Sequence, residues 1–392
     1  MTGSMASPRT WRAWSPLRAE IGATARLAVP LALTQLGQIL IHGTEVLLLG
    51  RLSPEKLASV TIAWALFHVC FIFASGVVQA TAPLAAAAKG ARQPREVRKV
   101  VRQGLWMTLV LTLPLGVVLW NGRPVLAALG QDPRLLIDTE LYLRAAVVGL
   151  PLGVGFVVLR NLVSTYSRTW PVLVITALAV VLNVPVSWAL IFGQLGMPRL
   201  EVLGAGIGAA ASWAFMFVAL LAWCTLARPF RRFSILARAW RADWPTFKEI
   251  WRVGLPIGWA MVLETGLFAA TALMMGRLGA PELAAHQVTL QIAAMAFMVP
   301  LGIGIAATIR IGIAAGAGDA DGVRRAGWVA VLLGGIYMTA MAVLFWTVGD
   351  RLVALFFDPA DPATPAALAV AVVLIKVAAA FQLADGIQVI GI

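Results

Sequence analysis

Three carboxylates lie inside long apolar runs of this sequence: Glu45, Glu264 and Asp385. Nearly every other acidic residue falls in a polar connector or at the end of an apolar run. A carboxylate in hydrocarbon costs roughly 2.5–3.5 kcal/mol on insertion scales, so one retained there normally faces a polar interior and marks an ion or solute path. The chemistry it offers is cation binding. Ionised, it presents hard oxygen ligands to a cation such as Na⁺; a carboxylate withdrawn from water favours its neutral form and so can carry a proton. The plainer reading of Glu45 is a carboxylate near the membrane surface, merely solvated.

Helical spacing groups further polar residues with these acids. At 100° per residue, Gln35, Gln38, His42 and Glu45 fall within an arc of roughly 80°. Gln382, Asp385 and Gln388 recur at every third position, and Gln287 and Gln291 lie four apart beside His286. Asn183 shares a helix face with Thr176 and Ser187, and Glu264 with Thr271. Such groups can line a cavity, or they can simply hydrogen-bond between helices. His68 reads as a buried, satisfied histidine, and Met295 and Met298 as packing residues.

These side chains need a scaffold of membrane helices. Of 392 residues, 60% are hydrophobic and 12% charged; soluble domains show roughly 45–50% and 25%. That excludes a soluble enzyme, a disordered chain and a coiled coil. Cys70 and Cys224 both sit in apolar runs, so no disulfide scaffold is expected. Ten spans are expected, at 27–50, 58–82, 104–120, 143–163, 171–193, 203–226, 253–277, 285–308, 327–347 and 368–390. The runs are continuously apolar rather than alternating, which excludes a β-barrel. No GxxxxGK[ST] or HExxH is present. The glycines at 204, 206 and 208 alternate and read as a small-residue helix interface rather than a phosphate loop. An ion gradient is then the expected energy source.

The net charge of +13 resolves into topology. Most Lys and Arg fall in alternate connectors: the N-terminal arm, the loop from Lys89 to Arg102, Arg160 and Arg168, the long segment from Arg228 to Arg252, and Arg310, Arg324 and Arg325. Positive-inside bias places these connectors and both ends of the chain in the cytoplasm. No nucleic-acid partner is expected.

The chain also repeats itself at an offset of 226 residues (256 − 30). Arg26 falls on Arg252, Pro30 on Pro256, Gly50-Arg51-Leu52 on Gly276-Arg277-Leu278, Gly76 on Gly302, and Val97-Arg98 on Val323-Arg324. Both repeats start on the cytoplasmic side, so they are parallel, as in secondary transporters with a site between two halves. The expected organisation is an arm (1–25), a six-helix lobe (26–226), a basic linker (227–252) and a second lobe (253–392).

Particular motifs sharpen this reading. The first span opens Leu27-Ala28-Val29-Pro30 and runs through Gln38 to Gly50. The fifth carries Leu182-Asn183-Val184-Pro185 with Trp188, and the seventh Leu263-Glu264-Thr265-Gly266. The eighth carries Ala284-Ala285-His286-Gln287 and Ile309-Arg310-Ile311-Gly312, and the tenth runs from Phe381-Gln382 through Asp385-Gly386 to Gln388-Val389. Together, over about residues 20–392, this set resembles the multidrug and toxic compound extrusion (MATE) transporters, in their NorM-type branch. The resemblance implies an all-α polytopic membrane protein of two six-helix lobes around a central cavity. It implies an antiporter, not an enzyme, that exports amphipathic cationic drugs across a bacterial inner membrane in exchange for Na⁺ or H⁺. No other cofactor is implied, the partners are the lipid bilayer and small organic cations, and the chain is expected to be a monomer.

By the same resemblance Glu264 and Asp385 are cation-coupling residues, and the metal ligands if Na⁺ is the ion. Glu45 is the acid of the first lobe, where the family usually has aspartate, with Asn183 nearby. Gln35, Gln38, His42, Asn183, Gln287, Gln291, Gln382 and Gln388 line the cavity. The family continues beyond the position of Ile392, so this chain is expected to hold about 10 of 12 helices, with an incomplete second lobe that is poorly stable and transport-deficient. The alternatives are a lipid-linked precursor or polysaccharide flippase of the same superfamily, favoured by a cationic cavity, and an inactive exporter fragment. An intramembrane enzyme lacks the clustered catalytic groups it would need. Topology is directly testable. Reporter fusions at Pro54, Gln131 and Met197 are expected to read out as external, and cytoplasmic signal at all three sites overturns the assignment.

Overall fold

The computed structural model describes residues 10–194, 196–228, 230–233, 242–357 and 364–391. Arg9 of the arm and Arg238 and Arg241 of the linker lie outside these. Among the described residues every regular element is helical. In chain order they are α1 (Thr10–Gly50), α2 (Pro54–Gln79), α3 (Thr81–Gly90), α4 (Pro94–Trp120), α5 (Gly122–Ala128), α6 (Leu136–Ala146) and α7 (Gly149–Thr165). Then follow α8 (Trp170–Phe192), α9 (Glu201–Leu226), a 3₁₀ turn (Phe230–Phe233), α10 (Trp244–Leu278), α11 (Ala280–Gly316), α12 (Ala320–Ala354) and α13 (Thr364–Gly391).

Nine helical segments among the described residues are long and apolar enough to cross a membrane, with α2 and α3 together making one of them. The count is ten if α6 and α7, bent by 44°, form one span. Helix is the form lipid requires, because its backbone groups bond within the segment and hydrocarbon offers no other partner. Hydroxyls follow the same rule. Thr108, Thr112, Thr176, Thr271 and Thr289 each donate to the carbonyl four residues earlier, at 2.7–3.0 Å. The ends carry ordinary signals. Ser53 Oγ accepts from the Glu55 N–H at the start of α2, Asp319 accepts from the Gly322 N–H at the start of α12, and Gly193 ends α8 at φ 71°.

The chain forms two compact units, Leu33–Leu273 and Met1–Ala32 with Met274–Ile392. In the larger, α9 packs on α6, α7 and α8, and α4 packs on α3 and α7. Its core includes Leu49, Val60, Ala63, Met107, Leu143, Leu150, Val158 and Met216. In the smaller, α11, α12 and α13 pack mutually around Ala285, Phe345, Ala371 and Ile375. There the first part of α1 is clasped to α11. Arg310 Nε and Nη2 donate to the two carboxylate oxygens of Glu20 at 2.7 and 2.6 Å.

Glycine sets the closest approaches. A Cβ on Gly76 of α2 would stand 2.6 Å from Gly258 Cα of α10, in the larger unit. A Cβ on Gly302 of α11 would stand 2.8 Å from the Ala28 carbonyl oxygen of α1, in the smaller. Gly76 and Gly302 are repeat equivalents, and Gly254 and Gly258 correspond to Ala28 and Ala32. Each unit therefore takes the opening segment of the other half's leading helix and packs it by the same small-residue contact. Gly76→Ala and Gly302→Ala are each expected to lower stability in detergent by about 1–3 kcal/mol, because backbone must move to admit the methyl. Gly335→Ala, with open space around it, serves as control; melting of all three variants at the wild-type temperature would show that the crossings are slack.

Candidate ion-coupling site

The polar face of α1 lies in the larger unit. Glu45 is buried, with 1% of its surface exposed. Its Oε2 accepts the Tyr142 hydroxyl of α6 at 3.1 Å and lies 3.9 Å from His42 Nδ1. Its Oε1 is buried without a hydrogen-bond partner. His42 stacks on Trp64 of α2 at 4.0 Å between ring centroids, and Trp64 stacks on His68 at 4.2 Å. The i, i+4 spacing of Trp64 and His68 presents both rings on one side of α2. His68 is thus the far layer of a three-ring stack that holds His42 beside Glu45.

Farther along the same face, Gln35 accepts from Arg160 Nη1 at 2.7 Å. Loop counting assigns Arg160 to a connector. The structure instead buries it in α7, which continues to Thr165 before the connector begins. Arg160 Nη2 also donates to Gln79 Oε1 at 3.5 Å. Asn161 Nδ2 donates to Gln79 Oε1 at 3.4 Å and to Thr81 Oγ1 at 3.0 Å, across the break between α2 and α3.

A second cluster joins α8 and α9. Buried Asn183 donates through Nδ2 to Ser187 Oγ at 3.2 Å and to Ser212 Oγ at 2.9 Å, and its Oδ1 is unpartnered. Gly37 lets α1 approach α8, since a Cβ there would stand 2.8 Å from Thr176 Cγ2. Glu264 of α10 is half-buried. In the smaller unit, Gln382 is buried and donates to the Ala293 carbonyl at 3.4 Å. Asp385 is half-buried and Gln388 exposed, because residues three apart drift by 60° on each step. Gln287 and Gln291 lie on an exposed side of α11.

The free oxygens Glu45 Oε1 and Asn183 Oδ1 are donors of the kind a hard cation takes, and the carboxylate can instead take a proton. Among the described residues no group of three or more His, Cys, Asp or Glu gathers as a tight metal centre. Tyr142, Trp64, Arg160, Gln79, Asn161 and Ser212 are members that spacing on single helices does not reveal. Their partners in the site lie on other helices, so the spacing along one helix does not show the connection.

The MatE family model matches residues 30–189 and 256–392 of this chain, two segments that begin at the offset of the sequence repeat. A probable multidrug resistance protein NorM of Mesorhizobium japonicum is 39% identical over 390 residues, covering 99% of this chain and 82% of that protein. One from Rhodopseudomonas palustris is 41% identical over 385 residues, with 98% and 80% covered. Among solved structures, the eukaryotic MATE transporter AtDTX14 superposes with a TM-score of 0.81 at 18% identity, over 95% of this chain and 83% of that one. An outward-facing multidrug resistance MATE family transporter of the MOP superfamily gives 0.80 at the same identity and coverage. With both halves matched and relatives near 40% identity over almost the whole chain, this protein belongs to the MatE family, that of the MATE multidrug transporters.

Proposed function

We propose that this chain is a secondary antiporter that exports amphipathic organic cations from a bacterial cell in exchange for Na⁺ or H⁺. The observation that carries the reading is Glu45, a carboxylate enclosed in a membrane helix bundle with one oxygen on Tyr142 and the other unpartnered. A buried charge is tolerated when it is paired or exchanges its partner. Here the exchanging partners are the coupling ion and the cationic drug. Both compete for negative charge, so entry of one favours release of the other.

In this reading Tyr142 orients the Glu45 carboxylate, and the His42–Trp64–His68 stack walls one side of it. Asn183, held by Ser187 and Ser212, adds a neutral oxygen ligand. Glu264 and Asp385 supply the remaining negative charge, each in its own unit, with Gln38, Gln287, Gln291, Gln382 and Gln388 as cavity residues. The protein is a monomer of the inner membrane with both described ends on the cytoplasmic side, and it performs no covalent chemistry.

The reading is tested by dye efflux in liposomes, with the chain in a full-length, twelve-helix context and Na⁺ and pH set independently. Glu264→Gln and Asp385→Asn are each expected to cut ion-driven efflux by about ten-fold or more while the protein stays folded. Wild-type rates for either variant at every Na⁺ concentration and pH remove that residue from the coupling site. Glu45→Gln is expected to weaken transport more than folding, and Glu45→Asp to be tolerated, since the charge is kept and only one methylene is lost. Full activity of Glu45→Gln would mean that Glu45 is a solvated bystander.

A further inference from the structure

Arg160 is a buried charge that the exchange mechanism does not use. It is 4% exposed, and its hydrogen-bond partners among the described residues are the neutral amide oxygens of Gln35 and Gln79. A guanidinium withdrawn from water is ordinarily compensated by a carboxylate. This chain makes such a pair elsewhere, between Arg310 and Glu20. At Arg160 the charge is left uncompensated.

Its place gives the charge a task. Gln35 and Glu45 stand on one face of α1, about 15 Å apart along the helix axis. Glu45 marks one end of that polar seam and Arg160 the other. Beyond Arg160, α7 ends at Thr165, whose carbonyl accepts Lys89 Nζ at 2.6 Å, and Lys89 lies over the Tyr166 ring. Arg160 therefore stands between the carboxylate and the basic end of the larger unit. The seam around it is polar: Arg160 Nε, Asn161 Oδ1 and Ser164 Oγ are buried with no hydrogen-bond partner, a donor and acceptor set that suits water. The unpaired acceptor on Asn161 disfavours an anion at this spot. A polar seam is not closed to ions by packing alone, whereas a fixed positive charge repels a cation or proton along it.

We propose that Arg160 is a selectivity residue, an electrostatic barrier that stops the coupling cation from leaking past Glu45 along the polar face of α1 without drug exchange. The inference rests on the exchange reading above, and the following test separates the two. The full chain is placed in pyranine-loaded liposomes, and proton influx under a valinomycin-set potential is measured with no drug present. A parallel arm follows Na⁺ influx. Arg160→Gln and Gln35→Glu are expected to raise the drug-free leak of the coupling cation by about ten-fold or more, since one removes and the other neutralises a unit charge within a few ångströms of the path. Arg160→Lys is expected to stay near wild type.

Gln35→Glu is the decisive variant. It keeps the shape of the Arg160 contact and replaces a neutral acceptor with a charged one, so a purely structural role for Arg160 predicts no leak. If Arg160→Gln fails to fold, Gln35→Glu alone decides. Wild-type tightness to both ions in Gln35→Glu, or a leak in Arg160→Lys equal to that in Arg160→Gln, overturns the barrier. Absence of ethidium exchange by the wild-type sequence in a full-length, twelve-helix context overturns the exchange reading instead, and the drug-free leak still reports on Arg160.

Discussion

Hydrocarbon cannot hydrogen-bond, and the arrangement of this chain follows from that constraint. The backbone closes its own bonds in helices, and the threonine hydroxyls return to carbonyls one turn back. What cannot be satisfied within one helix finds partners on other helices: Glu45 on Tyr142, Asn183 on Ser212 and Arg160 on Gln35 and Gln79 in the larger unit, and Gln382 on the Ala293 carbonyl in the smaller. Many large apolar side chains are exposed, among them Leu113, Val181 and Leu267, while others such as Met107, Leu143 and Phe345 fill the cores. Apolar groups thus occupy both the surface and the interior, and the buried polar groups are gathered in a few hydrogen-bonded clusters.

Two treatments of charge coexist in the fold. Glu20 and Arg310 are joined by two short hydrogen bonds, a geometry that fixes the opening of α1 to α11 and leaves neither charge free to act. Glu45 and Arg160 carry the same pair of opposite charges on one seam, yet each is held by neutral groups. Separation has an energetic cost, because each ion stays buried without direct compensation. The return is that each charge keeps an electrostatic reach. A paired carboxylate is a fastener; an unpaired one can exchange a cation.

The span pattern and the polar face of α1 were readable because each depends on local periodicity. Composition alone requires membrane helices, and the arc from Gln35 to Glu45 requires only the pitch of a helix. Arg160 falls inside the expected span 143–163, yet counting basic residues near span ends treats it as a connector residue; its burial depends on Gln35 and Gln79, which lie on other helices. Tyr142 and Trp64 were invisible because their partners lie on other helices, Tyr142 far along the chain from Glu45. The compact units divide within α1 and α10, where Ala28 packs against Gly302 and Gly258 against Gly76. A gapless repeat reveals which residues correspond, but not that corresponding segments are exchanged.

The repeat also shows how the two halves differ in chemistry on a shared scaffold. At the 226-residue offset Glu45 corresponds to Thr271, and Glu264 to Gln38. Seven residues separate the acid positions in the repeat, two turns on one helix face, or about 10 Å along a helix axis. At the same offset Arg160 of α7 corresponds to Gly386 of α13, and Asp385 of α13 to Leu159 of α7. Each half thus carries a charge where the other carries none. Duplication supplies equal backbones, and the charges added to them since are of opposite sign and one residue out of register. In the proposed exchange reading that asymmetry gives the halves different work: Asp385 attracts a cation, and Arg160 repels one.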